Sequence, residues 1–255
     1  MVLQGILRFF RLAVDLTASL ALLLCGSFGI YALWDNQQVL TAASDVQTEL
    51  LQWKPKEAEK AAPAPDNGEA FARLRQINPD VCAWITLDGT GIDFPVLQGA
   101  NNMTYINRDV FGNFSLAGSI FLDSRDDPSF SQSYALLYGH HMADGNMFGD
   151  LDLYKEDTFF SENRTGQLIL PDRVYRLEVM ACLVTGASDR NIFDPEHVRS
   201  HMAGLDAFIR EKARNLRTTL LAEEGPVLAL STCSTEFTDA RTVVLARMIG
   251  AEQEE

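Results

Sequence analysis

A cysteine near the carboxyl end of the chain has the surroundings of a nucleophile. Cys233 follows the apolar run Val227–Leu230 and stands among the small polar residues of the segment Ser231–Thr235. A thiol held at the end of a strand, in a polar setting, can ionise and can be reached by a substrate. The alternative is a buried structural cysteine, which is how we interpret Cys82 and Cys182 because each lies in an apolar segment. Cys233 is therefore the candidate nucleophile.

A thiol nucleophile needs a partner that exchanges protons near neutral pH, and histidine suits that role. His140 and His141 follow the apolar run Ala135–Tyr138 after one glycine, at a strand end where functional residues often collect. His197 and His201 stand four residues apart, but valine follows His197 where an H-E-x-x-H zinc motif has glutamate. We expect this second pair to face solvent on a helix. The pair at residues 140 and 141 is the candidate for proton transfer.

Arg241 is the third candidate, because it opens the apolar run Thr242–Leu245 shortly after Cys233. If the two segments are neighbouring strands, the guanidinium can lie over the thiol and stabilise an oxyanion. Two alternatives stay open. Arg241 could form a salt bridge at the strand edge with Asp239 or Glu236, or one of these acids could orient the histidine in a Cys-His-Asp triad.

The elements that must position these residues are short segments with a strand-like pattern. The predicted strands are Trp84–Leu87, Ile92–Val96, Ser119–Leu122, Tyr134–Tyr138, Gln167–Leu170, Arg173–Val184, Val227–Ser231 and Arg241–Met248. The sequence Asp88-Gly89 between the first two is typical of a hairpin turn. We therefore predict a mostly β fold, a mostly antiparallel barrel or sandwich.

Two helices accompany the predicted strands. A short helix around residues 71–77 should end at Asn78-Pro79, because proline restricts the residue before it. A longer helix is predicted over Asp194–Arg214, between two late strands, with the aspartate as its N-cap and Pro195 at its first position. Its apolar stripe consists of Val198, Met202, Leu205 and Ile209.

The amino-terminal part of the chain reads as a membrane anchor. Residues 12–34 carry a single charge, Asp15, and at 1.5 Å per residue they can cross a hydrocarbon core of about 30 Å. A secretory signal peptide would have a shorter apolar run followed by a cleavage site. Here the run ends in Tyr31 and Trp34, aromatics typical of a membrane interface. We therefore predict an uncleaved transmembrane helix.

Charge and composition divide the rest of the chain. Arg8 and Arg11 precede the apolar run and no basic residue follows it until Lys54, so residues 1–11 should be cytoplasmic and everything after the anchor extracellular. Residues 35–68 are predicted to be a stalk and linker. They contain an amphipathic helix over residues 39–50 and an Ala- and Pro-rich stretch at 58–68. Residues 69–255 should form the folded domain.

Overall charge and cysteine spacing exclude several classes of protein. The 255 residues include 21 Lys and Arg against 35 Asp and Glu, and the net charge of −14 argues against binding nucleic acid through its phosphates. The four cysteines form no C-x-x-C pair, so the sequence offers neither a zinc knuckle nor a thioredoxin-like motif.

Three short motifs carry a resemblance to a known family. The segments Tyr138–Met142, Leu230–Cys233 and Asp239–Arg241 resemble the histidine, cysteine and arginine motifs of the class B sortases. Similar stretches, which extend the resemblance from about Phe71 to Met248, are Ile77–Val81, Trp84-Ile85, Phe94–Gly99 and Ala117–Asp123. Each motif alone is weak, but their order and spacing together are specific.

The resemblance implies an extracellular, membrane-anchored cysteine transpeptidase of a Gram-positive bacterium, built on the eight-stranded sortase barrel. Such enzymes cleave a pentapeptide sorting signal of surface proteins after its Thr and hold the acyl part as a thioester. They then transfer it to an amine of the cell-wall peptide or of a pilin. The extra helix that class B members carry between the sixth and seventh strands corresponds to Asp194–Arg214.

The resemblance also assigns roles to residues of this chain. It makes Cys233 the nucleophile, His140 the acid and base, because the family's histidine directly follows Tyr-Gly, and Arg241 the oxyanion clamp. The substrate-binding residues it implies, together with two neighbours of the cysteine, are Asn102, Ile106, Ser231 and Thr232. No metal and no cofactor are expected.

Two other classes of function remain open. A cell-surface cysteine peptidase or amidase would use the same thiol and histidine with water as the acceptor. A membrane-tethered binding protein would carry an inert Cys233.

Overall fold

The computed structural model describes residues 2–58 and 65–250, so most of the predicted linker at 58–68 lies outside the described residues. The chain divides into two compact units, the first ending at Ala42 and the second beginning at Ala43. The described residues of the first unit all belong to one helix.

That helix, α1, runs continuously over Val2–Leu51. Its residues 12–34 are the predicted transmembrane segment, and their side chains are exposed. By length and composition the helix can cross a membrane, with a mean hydropathy of 1.9 in its most apolar window. The stalk helix predicted over residues 39–50 is therefore its continuation. Within the second unit Leu50 is buried against Phe71 and Leu74.

The second unit contains the remaining elements. Its helices are α2 (Gly68–Ile77), the 3₁₀ helix η1 (Gly149–Lys155), α3 (Asp157–Glu162), α4 (Arg190–Phe193), α5 (Pro195–Ser200), α6 (Met202–Lys212) and α7 (Thr218–Leu221). Its strands are β1 (Val81–Leu87), β2 (Asp93–Leu97), β3 (Ile120–Leu122), β4 (Tyr134–Tyr138), β5 (Thr165–Ile169), β6 (Val174–Gly186), β7 (Ala213–Leu216), β8 (Val227–Cys233) and β9 (Ala240–Gly250). Every predicted strand is present with its ends moved by a few residues.

Eight of the strands form a closed barrel in the order β5-β1-β2-β3-β4-β8-β9-β6, and pairing of β6 with β5 completes the circle. The first half of β6 pairs with β5, and the second half pairs with the short strand β7. The predicted hairpin is confirmed, because β1 and β2 pair antiparallel and Gly89 adopts a φ of 75° in their turn.

The strand pairing is antiparallel except at two places. Strands β2 and β3 are parallel, and so are β4 and β8. A parallel pair needs a long crossover, and the segment between β4 and β8 contains three strands, β5–β7, and six helices, η1 and α3–α7. The parallel arrangement brings the carboxyl ends of β4 and β8 to the same end of the barrel.

The long helix predicted over Asp194–Arg214 is two helices, α5 and α6, separated by His201, and its last two predicted residues belong to strand β7. The cap is as predicted, because Asp194 accepts a hydrogen bond from the backbone N–H of His197 and Pro195 takes the first position. The break follows from local chemistry. Ser200 and His201 bond through their side chains to carbonyls one turn earlier, and Gly204 weakens the following turn.

The helices between β6 and β8 cover one outer face of the barrel. Side chains of β4, β6, β8 and β9 meet Ile192, Leu205 and Ile209 in one buried apolar cluster. The Tyr134 hydroxyl reaches through this layer and donates to the carbonyl of Ile192 at 2.9 Å. The helical layer therefore forms a fixed wall beside the ends of β4 and β8.

Candidate active site

The cysteine and arginine candidates lie directly opposite each other on neighbouring strands. Cys233 is the last residue of β8, Arg241 is the second residue of β9, and the two are paired across the antiparallel ladder. Residues opposite each other in such a ladder point to the same face of the sheet. The expectation that the two segments are adjacent strands is confirmed.

The histidine candidates follow the strand on the other side of β8. Strands β4 and β8 run parallel with Tyr138 beside Ser231, and the N–H of Gly139 donates to the carbonyl of Ser231 at 3.1 Å. His140 follows Tyr138 by two residues, and Cys233 follows Ser231 by two. The register of the two strands therefore brings His140 alongside Cys233 at the end of the ladder.

Strand alternation determines which side chains share the face of Cys233. Ser231 lies on that face, with Tyr138 beside it on β4 and Val243 opposite it on β9. This is the face that α4–α7 cover further along the strands, and the strand ends reach beyond that cover. The thiol of Cys233 is exposed and Arg241 is half-buried, so both are accessible to a substrate lying along the rim.

His140 is held by a backbone carbonyl. Its Nε2 lies 2.7 Å from the carbonyl oxygen of Ile106, and the ring is half-buried. A carbonyl oxygen only accepts hydrogen bonds, so Nε2 carries a proton in this arrangement and Nδ1 is the nitrogen left to exchange protons. The loop can approach this closely because Gly118 has no side chain, since a Cβ there would come within 2.4 Å of the same oxygen.

His141 points elsewhere. Its Nε2 lies 3.2 Å from Oδ2 of Asp152 in η1, and the residue is exposed. Its backbone forms an isolated bridge with Met147. The two adjacent histidines therefore have different partners, as expected for neighbours on an extended segment.

Neither acid considered as a partner of Arg241 or His140 takes that role. Within the described part of the chain Arg241 forms no ion pair, and its Nη1 donates to the carbonyl of Ala240 at 2.9 Å. Glu236 pairs with Lys155 at 2.7 Å. Asp239 is exposed at a positive φ of 61°. The geometry thus favours neither the edge salt bridge nor the triad.

The four residues expected to bind substrate occupy different places. Ser231 and Thr232 are each only 2% exposed, and their hydroxyls have no hydrogen-bond partner among the described residues. Ser231 shares the face of Cys233, whereas Thr232 belongs to the opposite face beside Thr242. Asn102 bonds to the Asp123 carboxylate at 2.8 Å, and Ile106 supplies the carbonyl that holds His140.

Asp123 is a site residue that the sequence reasoning missed. Its carboxylate is fully buried and accepts hydrogen bonds from the Tyr138 hydroxyl, from Asn102 and from Arg125. Burial alone would raise the pKa of Asp123, but these hydrogen bonds hold it below its usual value. Arg125 also donates to the carbonyl of Phe193 at 2.9 Å. The carboxylate thus ties the Asn102 loop to the helical wall. In the sequence, the available signal for Asp123 was a charged residue directly after an apolar strand.

The other cysteines have different environments. Cys82 and Cys182 are buried in β1 and β6, and burial raises the pKa of each thiol to about 12. Both are therefore neutral near pH 7, as the interpretation as structural residues predicts. Cys25 is exposed on α1. Within the described residues no group of three His, Cys, Asp or Glu side chains could hold a metal ion.

Comparison with known proteins gives consistent matches. A family model described as the sortase domain matches residues 85–249. Sortase B of Staphylococcus aureus is 31% identical over 182 residues, which cover 70% of this chain and 74% of that protein. Sortase B of Listeria monocytogenes is 28% identical over 239 residues, with 91% and 96% covered.

Solved structures agree with these matches. The crystal structure of a Streptococcus pyogenes class B sortase involved in pilus biogenesis is similar with a TM-score of 0.65 and 38% identity, over 70% of this chain and 97% of that one. Sortase B from Bacillus anthracis is similar with a TM-score of 0.67 and 26% identity, over 84% of this chain and 99% of that one.

Proposed function

Because this chain belongs to the sortase family, and within it to the class B sortases, we propose that it cleaves a sorting signal of surface proteins after Thr and passes the acyl part to an amine. Sortases are cysteine transpeptidases of the cell surface, so the reaction proceeds through a thioester. The single observation that carries the proposal is the alignment of His140, Cys233 and Arg241 at the ends of three adjacent strands.

The first half of the proposed reaction makes the thioester. The sulfur of Cys233, as a thiolate, attacks the carbonyl carbon of the substrate Thr and forms a tetrahedral oxyanion. His140 donates its proton to the leaving amine as the C–N bond breaks. In the second half the incoming amine attacks the thioester carbonyl and forms a new C–N bond, His140 takes the proton of that amine, and the C–S bond breaks to restore the thiolate.

Arg241 suits the stabilisation of the oxyanion. A guanidinium carries five N–H donors in a fixed fork and a permanent positive charge. One donor serves the carbonyl of Ala240, which leaves others for a substrate beside Cys233. Donors fixed in advance at the position where negative charge develops are a large source of catalytic rate.

Four residues are proposed to form the substrate groove. Ser231 lies on the face of Cys233, and its buried hydroxyl has no hydrogen-bond partner among the described residues, so it lines the floor of the proposed groove. Asn102 and Ile106 border the groove from the loop that holds His140. Thr232 belongs to the opposite face, and we propose that it contributes through its backbone alone.

The proposed location follows from α1. Residues 12–34 are proposed to cross the cell membrane once, with residues 1–11 in the cytoplasm and a catalytic domain at 69–255 outside, joined by the stalk and linker at 35–68. The length and apolar character of α1 support a span, and the arginines before residue 12 support this orientation.

The acceptor is proposed to be an amine of the cell-wall peptide or of a pilin. The relative from Streptococcus pyogenes is described as involved in pilus biogenesis, which is why a pilin amine is included. The competing function is that of a peptidase or amidase, which would use the same residues and transfer the acyl group to water.

A partition experiment separates the two functions. The full chain in detergent is mixed with a pool of Thr-containing pentapeptides and an excess of either triglycine or a lysine peptide, and products are identified by mass spectrometry. We expect amine adducts with the native chain and with Cys25→Ser, whose exposed thiol is the matched control, and none with Cys233→Ala. Hydrolysis products alone under excess amine would identify a peptidase or amidase.

A further inference from the structure

The residues that directly follow the three proposed catalytic residues meet on the other face of the sheet. Thr242, which follows Arg241, donates from Oγ1 to Oδ1 of Asp152 at 2.6 Å. His141, which follows His140, places Nε2 3.2 Å from Oδ2 of the same carboxylate. One side chain of η1 thus contacts the segments that carry two of the three residues.

Lys155 connects η1 to the third segment, the one that carries Cys233. It lies one turn after Asp152 in η1, and its Nζ is 2.9 Å from Oδ1 of that carboxylate. The same Nζ donates to Oγ of Ser234, the residue after Cys233, at 3.3 Å, and to Oε1 of Glu236 at 2.7 Å. The hydroxyls of Ser234 and Thr242 lie 3.1 Å apart, which closes the network.

Strand alternation explains why these contacts converge. Side chains at 140, 233 and 241 belong to the catalytic face, so the next residue on each segment turns to the opposite side. Helix η1 covers that side, and Thr242 is fully buried there. The Lys155 side chain is only 11% exposed, so its bonds are little screened by water.

We propose that Asp152 and Lys155 are positioning residues that hold Cys233 and Arg241 in register from behind the sheet. The inference rests on the proposed function, because it concerns the geometry of that same site. Asp152 and Lys155 act through Ser234 and Thr242, and the partly exposed contact of Asp152 with His141 adds little.

The connection between β8 and β9 explains why such support affects catalysis. Residues 234–239 join the nucleophile to the proposed oxyanion clamp, and most of them are exposed. This connection contacts η1 through Ser234 and Glu236, and both residues are bound by Lys155. A displacement of about 1 Å in a reacting group can cost about a hundredfold in rate. Loss of Lys155 should therefore lower kcat more than it changes KM.

The test compares two lysines with similar surroundings. Lys155→Met removes the connecting cation, and Lys155→Arg restores charge and donors. Lys54→Met is the matched control, because Lys54 also pairs with two carboxylates, Asp93 at 2.7 Å and Glu57 at 2.6 Å, and none of these residues adjoins the site. For each full chain we measure kcat, KM, the thermal unfolding midpoint and the alkylation rate of Cys233 by iodoacetamide, located by peptide mapping.

We expect Lys155→Met to lose about tenfold to a hundredfold in kcat with KM within a few-fold of the native value, and Lys155→Arg to recover part of the loss. Cys233 alkylation should also change in Lys155→Met and not in Lys54→Met. If Lys155→Met does not fold, Asp152→Asn and Thr242→Val provide the same comparison.

Two results would overturn the inference. A folded Lys155→Met with native kcat would do so, and so would equal losses of kcat in Lys155→Met and Lys54→Met, since these would reflect stability alone. Failure of the proposed function would look different, because the native chain itself would then form no amine adduct.

Discussion

At the scale of single residues, the account depends on which side chains face one another at the ends of β4, β8 and β9. His140 and His141 differ only in the direction they point, yet one bonds to the Ile106 carbonyl and the other to Asp152. The sequence alone offered the two histidines as equals, and the resemblance to the sortases chose His140. The structure adds a physical reason, because the β4–β8 register brings His140 beside Cys233.

The two histidines should therefore behave differently when removed. We predict that His140→Ala lowers kcat by about 10²–10⁴, the usual contribution of a general acid or base, while His141→Ala stays within a few-fold of the native enzyme. The contact that His141 makes with Asp152 is partly exposed, so its loss should cost little. Steady-state kinetics on both variants check this, and equal losses would refute the assignment.

Arg241 and Asp239 form a second contrast at this scale. Lysine cannot reproduce the guanidinium fork, so we predict that Arg241→Lys lowers kcat by about 10²–10³, the loss typical of one oxyanion donor. Asp239→Asn is the control two residues away and should remain close to native. A large loss of kcat in Asp239→Asn together with a near-native kcat in Arg241→Lys would instead favour a Cys-His-Asp triad.

At the scale of elements, the strands were predictable because apolar and polar residues alternate along them and turn residues separate them. The order in which the strands pair was not predictable. All eight predicted strands and the Asp88-Gly89 hairpin are present because their patterns are local. The parallel pairing of β4 with β8 joins residues about ninety positions apart, which no local pattern encodes. The sequence likewise missed Asp123, whose partners Asn102 and Tyr138 come from two other segments, and the break at His201 inside the long helix.

The connection between β8 and β9 makes a prediction about acid stability. Hydrogen bonds from Lys155 and Ser234 lower the pKa of Glu236 to about 2 from an ordinary value of 4.5. A lowered pKa means that the folded state favours the charged carboxylate, so this stabilisation is complete above pH 4.5 and is lost as the pH falls through 2.

Glu236→Gln should accordingly have a lower unfolding midpoint than the native chain at pH 7, and the gap should narrow as the pH falls below about 4.5. Thermal unfolding followed across pH measures this. Glu224→Gln, at an exposed carboxylate on another loop, is the control and should show no comparable gap. A difference in unfolding midpoint that does not change with pH would contradict this stabilising role of the charged Glu236.

At the scale of the whole molecule, helix α1 takes part in both units. The sequence suggested a stalk over residues 35–68 without showing whether it packs on anything. In the structure the second unit begins at Ala43, and the last turns of α1 contribute Leu50 to its core. The apolar spacing predicted the helix, while its contact with Phe71 and Leu74 depends on tertiary packing that the spacing could not show.

This packing predicts unequal effects for adjacent leucines. Leu50→Ala should cost about 2–5 kcal/mol in the free energy of unfolding, because it opens a cavity beside Phe71 and Leu74. Leu51→Ala should change it by less than about 0.5 kcal/mol, because Leu51 is 41% exposed. Urea unfolding of the two full-length variants in detergent provides the measurement, and a Leu50→Ala effect as small as that of Leu51→Ala would contradict the packing of α1 in the core.

In the proposed reaction Cys233 takes and holds the acyl group of a sorting signal at the junction of three strands. The most direct test of this step is the intact mass of the full chain after mixing with the pool of Thr-containing pentapeptides, followed by peptide mapping. We predict an adduct equal to the substrate portion ending in Thr, located on Cys233 and released when an amine is added. The absence of any adduct, or an adduct on another residue that amine releases equally well, would contradict the account.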